Sequence, residues 1–250
     1  MHRLAVLAAW MCLVFGATAL AGTVKTQEVT LASGSDTIAG YLAVPESPGR
    51  HPALIVLHED WGLTDWVKVQ AKRFAEQGFL SLAVDLYRGQ TTFDPYVAYD
   101  LMVSTPRERA LQDMEATFNF LAARPDVNKE KIGSIGWSMG GKWSLVLAAS
   151  EPRLAACVVN YGSLLTDPAD IQKIHAPVLG IFGADDHTIT ASDLDAFVAA
   201  MDTAHKSFDL KVYPRAGHGF ENSESKLGFR ESAADDAWER TIAFLREHLT

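Results

Sequence analysis

At 250 residues and 48% hydrophobic content, the chain can bury one sizeable core, and its length favours a single α/β domain over two. Lysine and arginine number 22 against 31 aspartates and glutamates, a formal net charge of −9 with no basic run, which argues against nucleic acid as a partner. The first residues read as an export signal. His2-Arg3 is a short basic start, residues 4–20 are apolar, and Ala19-Leu20-Ala21 is a small-x-small cleavage site before Gly22. Cleavage removes residues 1–21 and leaves 22–250 as one domain in the periplasm or outside the cell, with no stable membrane anchor. An uncleaved membrane anchor is the competing reading, but no basic stop-transfer cluster follows the apolar run. Cys12 leaves with the leader. Cys157 then stands alone in a buried-strand pattern and has no internal disulfide partner.

Residues 24–31 and 37–44 alternate polar and apolar side chains around Ser33-Gly34-Ser35-Asp36, the pattern of an antiparallel hairpin. Residues 53–57 are continuously apolar, as in a strand covered on both faces, and His58-Glu59-Asp60-Trp61-Gly62 leaves it as a loop. A helix is predicted over 65–77 and a strand over 79–84. An irregular or weakly helical stretch, 91–105, is a candidate lid. A helix over 106–123 precedes a strand over 131–137. Residues 142–150 are helix-prone, 155–160 and 177–182 are apolar strands, and Ser192 is the expected cap of a helix through 201. An alternating strand over 207–213 and an amphipathic helix over 232–249 complete the chain. Strands alternating with helices imply a mostly parallel central sheet with helices on both faces.

The chemistry gathers in loops at the ends of the apolar strands, where the carboxyl edge of such a sheet carries functional groups. Gly136-Trp137-Ser138-Met139-Gly140 is a G-x-S-x-G segment between a strand and a helix. A sharp turn there would expose the Ser138 hydroxyl and place the Met139 N–H as an oxyanion donor; the plainer reading is a structural turn. A serine hydroxyl needs a base to take its proton, and histidine suits because its charge changes near neutral pH. Of the histidines that follow, only His218 ends a strand inside a glycine-flanked loop, against the alternative of a surface loop residue. Asp185 and Asp186 both qualify as the acid that orients it, and either could cap the next helix instead. The chain order Ser, Asp, His is that of α/β-hydrolases. His58-Glu59-Asp60 and Asp185-Asp186-His187 lack metal-ligand spacing, so neither a metal nor another cofactor is expected.

These segments, with Asp85-Leu86-Tyr87-Arg88-Gly89 and Ala216-Gly217-His218-Gly219-Phe220, resemble the dienelactone hydrolase family of α/β-hydrolases over about residues 24–249. The resemblance implies a triad of Ser138, Asp186 and His218, with the backbone N–H groups of Met139 and Asp60 holding the oxyanion. Two departures matter. Dienelactone hydrolase itself has a cysteine nucleophile, helped by a glutamate that falls on Glu59. With a serine here, Glu59 is left to orient substrate or to cap the loop. The enzyme also clamps a substrate carboxylate with two arginines, which fall on Gly89 and Asn222, with Arg88 one place away. The implied activity is hydrolysis of a small carboxylic ester or lactone other than an anionic dienelactone, with Glu59, Trp61, Tyr87 and Arg88 as candidate substrate contacts. Phe93, Tyr96 and Tyr99 could add to an aryl pocket or belong to the core. A thioesterase or peptidase of the same fold, or a binding protein that keeps the fold without the chemistry, is the alternative.

Overall fold

Strands that are apolar on both faces become the middle of a sheet. The computed structural model describes residues 22–225 and 228–250; the expected export signal lies outside them. The N-terminal hairpin is β1 (Val24–Ser33) and β2 (Asp36–Pro45), paired antiparallel with Ser33 opposite Asp36. The remaining strands are β3 (His51–Leu57), β4 (Leu80–Val84), β5 (Val127–Trp137), β6 (Ala156–Asn160), β7 (Val178–Gly183) and β8 (Phe208–Tyr213). They make one sheet of order β1-β2-β4-β3-β5-β6-β7-β8. β2 meets β4 antiparallel, and the rest run parallel. Every residue of β4, β6 and β7 is buried, as two covered faces require.

The helices are α1 (Asp65–Glu76), α2 (Pro95–Ser104), α3 (Arg107–Ala123), α4 (Met139–Ser150), α5 (Pro168–Ile171), α6 (Ala191–Thr203) and α7 (Glu231–Leu249). α1 and α7 meet through Phe74 and Trp238, whose ring centroids lie 4.8 Å apart, with Arg73 stacked over the Trp238 ring. α7 buries Ile242, Leu245 and Leu249, the stripe its spacing predicts, and leaves Trp238 half-buried.

Three expectations change. The stretch 91–105 contains a regular helix, α2, because Asp94 accepts hydrogen bonds from the N–H groups of Tyr96 and Val97 and Pro95 fits the first turn. α6 is capped by Thr190, not Ser192: the Thr190 hydroxyl and the Asp193 carboxylate close a reciprocal capping box. α5 was not anticipated. At four residues it is too short for a periodic signal.

The parallel topology does one thing for function. It puts the loops after β3, β5, β7 and β8 on the same edge, with β3 beside β5 and β7 beside β8.

Candidate active site

Ser138 joins β5 to α4 at φ 50°, ψ −114°, a conformation that costs on the order of 1–3 kcal/mol for a residue with a Cβ. The flanking glycines make the turn possible. A Cβ on Gly136 would strike the Gly140 carbonyl, and one on Gly140 would strike the Leu57 carbonyl of β3. The Ser138 N–H donates to the Asn160 carbonyl at 2.9 Å, which ties the turn to β6. α4 starts at Met139 and extends the expected helix by three residues, so its N-terminal N–H groups and dipole face the turn.

Ser138 Oγ lies 2.8 Å from His218 Nε2, and His218 Nδ1 lies 2.8 Å from Asp186 Oδ2. Asp186 Oδ1 accepts from the Thr188 and Ile189 N–H groups at 2.7 and 3.0 Å. Burial alone would raise the Asp186 pKa; the bonds from His218, Ile189 and Thr188 outweigh it and hold the carboxyl below its ordinary range. An ionised Asp186 makes Nδ1–H the donor and leaves Nε2 to accept the Ser138 hydroxyl proton. Asp185 is exposed and only its backbone approaches this loop, through a bond to the Ala216 carbonyl.

A cavity of about 260 Å³ opens over Ser138 and His218. Glu59, Asp60, Trp61, Asn222 and Glu224 line it, together with the exposed Phe93. Among the described residues, no lysine or arginine lines it. Glu59 faces the cavity with both oxygens engaged: Asn222 Nδ2 donates to Oε2 at 2.7 Å and the Tyr161 hydroxyl donates to Oε1 at 3.2 Å. Burial raises its pKa to about 7, with Asp60 adding to the shift and Asn222, Tyr161 and His218 opposing it. Asp60 is raised as well, first by burial, against the pull of its own N–H and of His218.

Two of the sequence candidates do not reach this cavity. Tyr87 is buried beneath it, with its hydroxyl donating to Met139 Sδ at 3.0 Å and its ring edge-on to His58. Arg88 sits at φ 57° and turns away. Its guanidinium forks onto the buried Asp113 at 2.7 and 2.9 Å and reaches Asp36 at 3.1 Å. Neither contacts substrate space, because the backbone after β4 sends both side chains inward or sideways. Tyr96 and Tyr99 project from α2 into solvent. Tyr161 was missed. It directly follows β6 on the functional edge, packs edge-on to His218 at 5.2 Å and holds Glu59; its place at a strand's carboxyl end was the available signal.

Cys157 is fully buried, with its thiol pushed up to about 11 by burial. Among the described residues no cluster of three His, Cys, Asp or Glu side chains could hold a metal, and no helix is long and apolar enough to cross a membrane.

This geometry, on this sheet, defines a hydrolase class of protein, and comparison narrows it. The model of the dienelactone hydrolase family matches residues 38–249. A Yersinia pestis protein assigned the name carboxymethylenebutenolidase is 29% identical over 236 residues, covering 88% of each chain. A Bradyrhizobium protein named as a 2-oxo-3-(5-oxofuran-2-ylidene)propanoate lactonase is 30% identical over 240 residues, covering 91% of this chain and 96% of its own. A crystal structure assigned as a dienelactone hydrolase from Klebsiella pneumoniae superposes with a TM-score of 0.83 at 26% identity, covering 90% of this chain and 99% of that one. The chain belongs to the dienelactone hydrolase family, on the α/β-hydrolase fold, and is a hydrolase acting on ester or lactone bonds.

Proposed function

We propose that the protein is an exported serine hydrolase that opens small carboxylic esters or lactones through an acyl-enzyme on Ser138. The observation that carries this reading is the unbroken chain Ser138 Oγ–His218 Nε2, His218 Nδ1–Asp186 Oδ2, each link 2.8 Å, under an open cavity. Ser138 Oγ attacks the carbonyl carbon while His218 takes its proton. The Met139 and Asp60 N–H groups hold the oxyanion, and Asp186 steadies the imidazolium. Collapse expels the alcohol with the proton from His218. Water, activated by the same histidine, then releases the acid and restores Ser138.

The substrate is uncharged around its scissile bond. The arginines that bind a carboxylate in the resemblance are replaced by Gly89 and Asn222, Arg88 is committed to Asp113, and Glu59, Asp60 and Glu224 face the cavity. A substrate carboxylate would meet carboxylates there. Export is supported by the basic start, apolar run and cleavage site of residues 1–21.

The test is hydrolysis of p-nitrophenyl esters from acetate to decanoate by the chain from Gly22, beside Ser138→Ala. Activity lost in the variant is the expected result, with the best chain length sizing the cavity. Equal activity in both would remove Ser138 from the chemistry.

A further inference from the structure

Behind the site lies a buried imidazole that the reaction does not use. His58 directly follows β3, just before Glu59 and Asp60, and is wholly excluded from solvent. Its Nε2 faces the Leu86 N–H at 3.2 Å, so Nε2 must accept and carries no proton. The proton of the neutral ring is then on Nδ1, which donates to the Glu59 carbonyl at 2.5 Å. Burial holds the ring neutral, against the pull of the Glu59 carbonyl and of Asp85.

The Glu59 carbonyl and the Asp60 N–H belong to one planar trans peptide group and point in opposite directions. Whatever fixes the carbonyl therefore also fixes the direction of the N–H, which in the resting site lies against the Asp60 carboxyl. The carbonyl also accepts from the Gly62 N–H at 3.3 Å, closing the turn, and the Trp61 carbonyl takes the Thr92 N–H at 3.1 Å. The His58 ring further packs against Tyr87 at 4.8 Å, and Tyr87 holds the side chain of Met139. The imidazole therefore holds the Glu59–Asp60 peptide directly and reaches Met139 only through Tyr87 and the Met139 side chain.

We propose that His58 is a positioning residue for the oxyanion hole: its Nδ1–H orients the Glu59–Asp60 peptide so that the Asp60 N–H meets the transition state. The proposal rests on Ser138 catalysis and makes no contact with substrate itself. It predicts a loss in kcat at nearly constant KM, because the donor is needed where charge develops and not for ground-state binding.

Two substitutions separate this role from simple anchoring. Asparagine can place an amide N–H where Nδ1 donates, and glutamine can place an amide oxygen where Nε2 accepts. His58→Asn is expected to keep kcat within about fivefold of wild type. His58→Gln keeps the tie to Leu86 but loses the donation to Glu59, and its kcat should fall on the order of 10²-fold, as for a misplaced catalytic donor. Its KM should stay within about threefold, and an arylboronic acid, whose tetrahedral adduct on Ser138 uses the same donors, should weaken in proportion to kcat. The reverse order, with His58→Gln active and His58→Asn impaired, would overturn the proposal in favour of anchoring. So would equal kcat in all three. A wild type with no turnover that Ser138→Ala abolishes would sink the functional reading and this proposal together; an active wild type with an unaffected His58→Gln sinks this one alone.

Discussion

Asp186 and Glu59 are both buried acids within reach of the same histidine, and they behave oppositely. Asp186 takes a ring N–H and two backbone N–H groups, and its pKa is held down. Glu59 takes one amide and one phenol, both neutral, beside the carboxylate of Asp60, and burial carries it to about 7. Burial pushes on both. The geometry of the donors decides which stays a fixed charge and which becomes a proton-exchanging group. A carboxylate that must steady an imidazolium needs the first environment, and Glu59 has the second.

The largest expected effect comes from breaking the stronger side of that pair. Asp186→Asn removes the charge and permits the wrong His218 tautomer, so kcat should fall on the order of 10⁴-fold in steady-state ester hydrolysis. Glu59→Gln should cost less than tenfold in the same assay. A loss as deep as that of Asp186→Asn would make Glu59 part of the relay and collapse the distinction between the two acids.

Arg88 offers a check on stability. Arg88→Met leaves the fully buried Asp113 side chain with the Ser33 hydroxyl but no cation, and should destabilise the fold by about 3 kcal/mol in urea titration. KM for neutral esters should be unchanged; a large rise in KM would return Arg88 to the substrate site.

A half-buried acid with an enclosed carboxyl oxygen extends the comparison more gently. Glu221 accepts from Trp137 Nε1 at 3.1 Å, its other oxygen has no hydrogen-bond partner among the described residues, and burial raises it to about 8. Its folded pKa lies above its ordinary value of 4.5, so the native state holds the proton more tightly than the unfolded chain. Stability from this group is full below about pH 4.5 and is lost as pH rises through about 8. Glu221→Gln should therefore melt a few degrees above wild type at pH 9, with the gap closing below pH 5. A gap independent of pH would mean that Glu221 titrates normally.

The strand-end logic was readable in the chain. Three apolar runs and one alternating strand each delivered a polar loop, and the G-x-S-x-G segment, the glycine-flanked His218 and the Asp185-Asp186 pair sit where a parallel sheet places functional loops. Choosing between the two aspartates from residues alone was not possible. They are adjacent, and which one turns inward depends on the turn that buries Asp186 and exposes Asp185. Tyr87 and Arg88 were misplaced for the same reason: their position after β4 was right, but sequence does not record that Asp113, distant in the chain, waits to capture Arg88. Tyr161 looked like an ordinary strand-end aromatic, because its use, holding Glu59, comes from an element about one hundred residues away. Thr190 was legible and overlooked, since Thr190 and Asp193 have the spacing of a capping box.

The central claim is a nucleophilic Ser138 driven by the Asp186–His218 pair. The most direct measurement is peptide mass mapping after a fluorophosphonate is incubated with the chain from Gly22, with Ser138→Ala and with Asp186→Asn. The account predicts a single adduct on the peptide carrying Ser138, none in Ser138→Ala, and labelling slowed by orders of magnitude in Asp186→Asn. An unlabelled Ser138 in folded wild-type protein, or labelling as fast in Asp186→Asn as in wild type, would contradict it.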